Sequence, residues 1–369
     1  MALGTIGLDW RLWPQGKGLK ARFFPYRLVF HRAAGTSRGQ MLERLVYFIE
    51  ITSPQAVVGR GECAPLPGLS IDDRPDLVTR LSYLCQQFNS GEWASWSESL
   101  DYYPSLRMGF EMALLDVMGG GGGQWYDTPF TRGEHSQRIN GLIWMGSADD
   151  MRGQIRERLA EGYRCIKCKI GALDFEQELA LLHEIRSEWP VGQLDIRLDA
   201  NGAFSAGDVM HKLDQLAAIG PHSIEQPVRA GQTSLMAEVC RQSPIPVALD
   251  EELIPLTDEE QAMEVLEICR PAYLILKPSL LGGFAESERW IVRAAAVGAD
   301  CWVTSALESN VGLAAISAWT STLNILLPQG LGTGKLYQNN INSPLFVKSG
   351  NLHWDANRAW DWNACRDNL

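Results

Sequence analysis

The 369-residue chain is 46% hydrophobic and 21% charged, the balance of a globular protein, and is long enough for one large α/β barrel or two ordinary domains. Its formal charge of −11 argues against nucleic acid or an anionic membrane surface as a partner, since both require a basic patch. No apolar run approaches the roughly 20 residues that span a bilayer, the N-terminus lacks a basic-then-apolar leader, and eight scattered cysteines make no disulfide framework, so a cytoplasmic protein with no membrane insertion is expected.

In chain order, Arg22–His31, Glu43–Thr52 and Ala56–Cys63 are β-rich runs separated by polar turns, which predicts an antiparallel sheet. Helical spacing follows over Asp76–Asn89 and Pro104–Met118; in the second, Met108, Met112, Leu115 and Met118 recur on one stripe, the pattern of a core-facing helix. Five consecutive glycines, Gly119 to Gly123, are expected to form a flexible linker rather than a phosphate-binding loop, because they end a helix instead of starting one.

From Arg138 the rhythm becomes strand, helix, strand, helix. Strands are predicted over Arg138–Ile143, Tyr163–Ile170, Leu194–Asp199, His222–Gln226, Pro246–Asp250, Ala272–Lys277, Cys301–Ser305 and Asn324–Pro328. Eight short strands alternating with amphipathic segments imply parallel βαβ units that close into a barrel. Three regions are therefore expected: 1–130 as an α+β capping domain, 131–335 as the barrel, and 336–369 as a tail returning to the cap, with Trp354, Trp360 and Trp362 packing tail and cap.

In the second of these strands, Lys167 and Lys169 are two residues apart, so both ammonium groups point to one face of the sheet. Two buried like charges persist only opposite something anionic or where a lowered lysine pKa is useful; otherwise the strand must be an edge with both lysines in water. Cys165 and Cys168 form a C-x-x-C, but on a strand they face opposite ways and are read as buried thiols.

Barrel function collects at the C-terminal ends of the strands. There the third strand ends in Asp199, the fourth in Glu225, the fifth in Asp250 and the sixth in Lys277. The carboxylates stand 26 and 25 residues apart, about one βα unit each, which delivers three acids to one rim. Three oxygen ligands suit a hard cation such as Mg²⁺, which stabilises developing negative charge while a nearby lysine accepts a proton. One strand-end acid alone would be an ordinary solvated side chain; three at unit spacing between lysines are not.

These residues resemble the enolase superfamily, in its muconate-lactonizing branch with lysines on the second and sixth strands. The resemblance implies a modified TIM barrel, (β/α)7β, with an N-terminal α+β cap completed by the C-terminal tail. It implies Lys169 as the acid/base, Lys167 as its support, Lys277 as the lysine opposite, and Asp199, Glu225 and Asp250 as ligands of Mg²⁺, with Mn²⁺ as a substitute. Gly59-Arg-Gly-Glu-Cys-Ala-Pro-Leu-Pro67 resembles the cap loop that closes over substrate.

Within the superfamily, Ile139–Ile143, Thr304–Leu313 and Gly330–Gly334 resemble the o-succinylbenzoate synthase family. That implies dehydration of 2-succinyl-6-hydroxy-2,4-cyclohexadiene-1-carboxylate on the route to menaquinone or phylloquinone. Asn140, Ser305, Glu308, Ser309, Gly332 and Thr333 are the implied contacts for a dianionic small-molecule substrate. The alternative is a dipeptide epimerase or N-acylamino acid racemase, in which both lysines exchange protons. Pro328–Lys335 contains no Asp or Glu to meet a dipeptide's ammonium group, which disfavours the epimerase. A non-catalytic metal-binding scaffold barrel is a remote further alternative, since none of the six polar residues is missing. His222 starts its strand far from the rim, so a histidine base is not expected, and nothing in the pattern demands association beyond a monomer.

Overall fold

The computed structural model describes residues 18–36, 39–91, 100 and 102–362; the outer ends of the expected cap (1–17) and tail (363–369) lie outside them. Three antiparallel strands, β1 (Lys20–Thr36), β2 (Gly39–Thr52) and β3 (Val58–Cys63), form the first sheet. Side-chain alternation gives it two buried faces. Ala21, Ile49 and Ile51 meet helices α1 (Leu77–Ser90) and α2 (Pro104–Met118), while Phe24, Tyr26, Leu28 and Phe30 turn toward the larger core. Pro104 opens α2, where its missing N–H is no loss. Met108, Met112 and Leu115 are buried as expected, whereas Met118 at the helix end is exposed. Gly61 allows β3 to touch α2: a Cβ there would stand 1.9 Å from the Gly109 carbonyl oxygen.

The glycine run is not a flexible linker. Buried Asp116 accepts the backbone N–H of Arg60 through Oδ2 (2.8 Å), and those of Gly123 (2.7 Å) and Gln124 (3.0 Å) through Oδ1. Trp360 packs on Gly123, stacks on Trp362 at 4.6 Å and meets Trp125 edge-on, and Arg60 lies over the Trp362 ring. Glycines make this tight turn affordable in conformational terms, with positive φ from Gly120 to Gly123.

Seven parallel strands follow, hydrogen-bonded in chain order: β5 (Gly141–Ile143), β6 (Cys165–Lys169), β7 (Asp195–Asp199), β8 (Ser223–Glu225), β9 (Val247–Leu249), β10 (Tyr273–Leu276) and β11 (Asp300–Val303). The curled sheet closes through single parallel bridges, Ile139 with Gln329 and Thr304 with Gly330. The eighth strand therefore falls on Gln329–Gly330 and not on Asn324–Pro328, where Leu326 is 82% exposed. Arg138 serves two sheets: its carbonyl accepts the Gln329 N–H at 2.8 Å at the barrel closure, while β4 (Gln137–Arg138) pairs with β13 (Asn351–Trp354), which pairs with β12 (Leu345–Lys348). The result is the modified (β/α)7β TIM barrel with an α+β cap. No helix among the described residues is long and apolar enough to cross a membrane.

Two cap carboxylates join cap to barrel. Glu62 of β3 accepts the N–H of Ser309 (2.8 Å) and Gly312 (2.8 Å) and the Ser309 hydroxyl (2.5 Å), at the start of α10 (Asn310–Thr320). Glu111 of α2 accepts the N–H of Phe284 (2.7 Å) and Ala285 (3.0 Å), at the start of α9 (Phe284–Val297). Both satisfy donors that a helix N-terminus leaves bare. Burial pushes the Glu111 carboxyl up to about 7, against the pull of those two N–H groups.

A raised carboxyl pKa means the folded state holds its proton at a higher pH than the unfolded chain, so stability falls as pH rises from about 4.5 through about 7. A shift of this size corresponds to on the order of 3 kcal/mol. Glu111→Gln is expected to shrink the loss of urea-unfolding stability between pH 5 and 7.5 relative to wild type. Equal slopes in both proteins would show that Glu111 does not titrate in this window. Asp72, also raised by burial to about 6, contributes with the same sign to both and cancels in the comparison.

Candidate active site

The barrel register puts Lys169, Asp199 and Glu225 side by side at the ends of β6, β7 and β8. Asp250 follows β9 by one residue and Lys277 follows β10 by one. All three acids are almost fully buried, and the lysines lie between them. Lys167 Nζ reaches Asp199 Oδ2 at 2.9 Å and Glu225 Oε1 at 2.6 Å. Lys169 Nζ reaches Asp199 Oδ2 at 3.1 Å, and Lys277 pairs with Asp250 Oδ2. The anionic partners that the lysine pair demanded are thus Asp199 and Glu225, and the edge-strand alternative fails because β6 is an interior strand.

Each charge shapes its neighbours. Burial opposes the charge on Lys167, but Asp199, Glu225 and Asp250 outweigh it and raise its pKa. Lys277 is raised in the same way, with Asp250 and Glu251 overcoming burial. Burial would lift Asp199, yet Lys167, Lys169 and Lys277 hold it below the usual carboxylate range. Glu225 goes the other way: burial and the charge of Asp199 raise it further than Lys167 can offset.

Among the described residues no three His, Cys, Asp or Glu side chains already stand as a metal-ligand group; Lys167 bridges Asp199 and Glu225, and Lys277 pairs with Asp250. The donor set nevertheless fits a hard cation. Glu225 Oε2 and Asp250 Oδ1 are buried without a hydrogen-bond partner among the described residues, and such oxygens are costly unless a cation or donor meets them.

Four polar residues absent from the sequence expectation belong to this rim. Asn201 takes the Lys169 ammonium on Oδ1 at 2.6 Å and donates from Nδ2 to Glu251 Oε1 at 2.9 Å. Buried Gln226 accepts the Asp250 N–H on Oε1 at 3.1 Å and donates to Glu252 Oε2 at 3.2 Å, tying the loop after β8 to the loop after β9. Asn201 and Gln226 both have left-handed backbone, with φ of 44° and 43°. Strained non-glycine positions of this kind gather at functional sites. The Asp-Ala-Asn and Glu-Gln-Pro strings around Asp199 and Glu225 were the available sequence signals.

The six expected substrate contacts separate. Ser305 and Thr333 meet through their hydroxyls at 2.7 Å, at the seam of β11 and the Gly330–Gly334 loop. Gly332 lies on that loop beside the carbonyl of Asn140, whose own N–H bonds the Gln329 carbonyl and whose Oδ1 is buried without a partner among the described residues. Glu308 and Ser309 are both fully buried, with their polar atoms engaged inside the protein. Glu308 is taken by the Ser279 hydroxyl and the Ala306 N–H, and Ser309 by Glu62. Of the expected cap loop Gly59–Pro67, residues up to Cys63 lie in β3, while Leu66, with Leu69 and Ile71 just after the loop, packs on Ile254, Leu280 and Ala306. Arg197, two residues before Asp199, stacks on Trp302 at 3.8 Å one layer lower, and His222 stacks on Tyr273 at 5.0 Å away from the rim.

The site gathers lysines and acids at the C-terminal ends of parallel barrel strands, as in an enolase-type enzyme, and the Enolase C-terminal domain-like family profile matches residues 150–361: the chain belongs to that family. Members bind a divalent metal ion. The chain is 44% identical over 365 residues to o-succinylbenzoate synthase of Desulfotalea psychrophila, covering 91% of this chain and 99% of that protein. The crystal structure of MenC from the same organism superposes with a TM-score of 0.83 at 41% identity, over 91% of this chain and 99% of that one. The L-Ala-D/L-Glu epimerase of Bacillus subtilis is 23% identical over 74% of this chain and 76% of its own length. Its structure in a substrate-liganded complex gives a TM-score of 0.78 at 18% identity, over 92% of this chain and 97% of that one, a likeness of fold.

Proposed function

We propose that the chain is an o-succinylbenzoate synthase, a carbon–oxygen lyase that dehydrates 2-succinyl-6-hydroxy-2,4-cyclohexadiene-1-carboxylate. The observation that carries this reading is the 44% identity to the Desulfotalea psychrophila synthase, which runs through cap and barrel alike. In this reading Asp199, Glu225 and Asp250 hold Mg²⁺, with Mn²⁺ able to replace it; when bound, the ion stabilises negative charge developing on the substrate carboxylate.

Lys169 removes the proton from the ring carbon bearing the carboxylate: the C–H bond breaks, an N–H bond forms, and the electron pair delocalises toward the carboxylate. The proton then passes from Lys169 to the departing hydroxyl, the C–O bond breaks, and water leaves an aromatic ring. Lys277 holds the anionic ring from the other side by charge and a cation–π contact. Lys167 keeps Asp199 and Glu225 in place and supports Lys169. Ser305, Thr333, Gly332 and Asn140 are the proposed substrate contacts. We place the protein in the cytoplasm as a monomer, with 1–130 as cap, 131–335 as catalytic barrel and 336–369 as the returning tail.

The test is turnover of the purified protein with the cyclohexadiene, with and without Mg²⁺, followed by loss of diene absorbance. Metal-dependent turnover is the expected result. Its absence, together with Mg²⁺-dependent epimerisation of dipeptides, would replace the synthase reading with the epimerase one.

A further inference from the structure

We propose that Asn201, locked in one orientation by Glu251, is a positioning residue that aims the free electron pair of Lys169. The inference rests on Lys169 being the base of the proposed reaction. A neutral lysine amine carries two N–H groups and one lone pair. Asp199 Oδ2 stands 3.1 Å from Nζ and Asn201 Oδ1 stands 2.6 Å from it, so two acceptors claim the two N–H groups. The lone pair, which must take the substrate proton, is thereby turned away from both.

That arrangement depends on which end of the Asn201 amide faces the lysine. Rotated by half a turn, the amide would present its NH₂ to Nζ. A protonated lysine would repel it, but a neutral one would accept it on the lone pair, and the base would be consumed. Glu251 forbids the rotation. Its Oε1 accepts from Asn201 Nδ2 at 2.9 Å, and it does so whether or not a proton sits on Oε2, which has no hydrogen-bond partner among the described residues. The Asn201 backbone is fixed as well, since its N–H donates to Asp199 Oδ1 at 3.1 Å and its φ of 44° is a conformation asparagine tolerates. Lysine, amide and carboxyl thus form a chain in which each donor meets an acceptor in only one sense.

The reversal experiment exchanges the donor and acceptor roles. Asn201→Asp leaves two acceptors facing each other, and Glu251→Gln leaves an amide pair with no fixed sense. The double variant Asn201→Asp/Glu251→Gln restores one N–H between an acceptor that also faces Lys169 and its new donor, at unchanged total charge. Each single variant of the full chain, assayed at saturating Mg²⁺, is expected to lose about 10- to 100-fold in kcat with KM within about threefold. The double variant is expected to recover at least about fivefold over Asn201→Asp, because the N–H between positions 201 and 251 is restored while the carboxylate beside Lys169 remains. Deuterium on the carbon bearing the ring carboxylate should give a larger isotope effect on kcat in the single variants than in wild type.

Losses that multiply in the double variant would overturn the proposal. So would losses that vanish once calorimetric titration shows each variant saturated with Mg²⁺, since the pair would then serve the cation and not the base. Failure of the underlying reading looks different: wild type would not turn over the diene, or Lys169→Ala would retain turnover.

Discussion

Lys169→Ala is expected to lower kcat by roughly 10³-fold or more while the protein still binds Mg²⁺, because one positioned base contributes on this scale. Its neighbours are otherwise engaged: Lys167 is paired with both Asp199 and Glu225, and Lys277 with Asp250. The proposed ligand set survives the substitution, since Asp199 keeps Lys167 at 2.9 Å and the pairs of Glu225 and Asp250 are untouched. Stopped-flow loss of diene absorbance measures the first half of the expectation and calorimetric titration with Mg²⁺ the second. Substantial turnover in the variant would assign the base to another residue; lost cation binding would make Lys169 part of the ligand scaffold.

Glu62→Ala is expected to destabilise the fold by about 3–5 kcal/mol, because it strands three buried donors, two backbone N–H groups and one hydroxyl. Burial already raises the Glu62 pKa, with Ser309 pulling it back down, so the site is dry enough that water does not readily replace the lost acceptor. Glu43→Ala provides the contrast. Glu43 pairs with Arg27 at a surface where both side chains are more than half exposed, and such a pair contributes below about 1 kcal/mol. Urea unfolding of the two variants side by side checks the difference. Similar midpoints would mean that the cap carries no weight on the barrel helix it touches.

The gathering of lysines and acids at one rim was legible because barrel geometry converts unit spacing into proximity. Alternation along β6 placed Lys167 and Lys169 on one face, and one acid per βα unit placed Asp199, Glu225 and Asp250 beside them. The eighth strand was misplaced because Ile325–Leu327 looks like a strand by apolarity, whereas closure needs a residue without a side chain. A Cβ at Gly330 would lie 2.1 Å from the Thr304 hydroxyl oxygen. The glycine run misled for the opposite reason, since its order comes from one buried aspartate and a tryptophan far along the chain. The engagement of Ser309 by Glu62, 247 positions earlier, was invisible locally. Asn201 and Glu251 were passed over because a bridging amide is visible only once two strand ends are brought together.

The two cap carboxylates have a consequence for how this fold can be rearranged. Lys277 leads directly into a short helix, Pro278–Leu281, then Gly282 and Gly283, and then the helix whose first turn Glu111 holds. The helix after β11 begins on Glu62 in the same way. Two of the barrel's own helices thus have their first turns completed by residues that belong to the cap. Cap and barrel are consequently not interchangeable modules: a cap grafted from a distant relative must bring an acid at both positions, or the barrel receiving it starts two helices unfinished, one of them a few residues from Lys277.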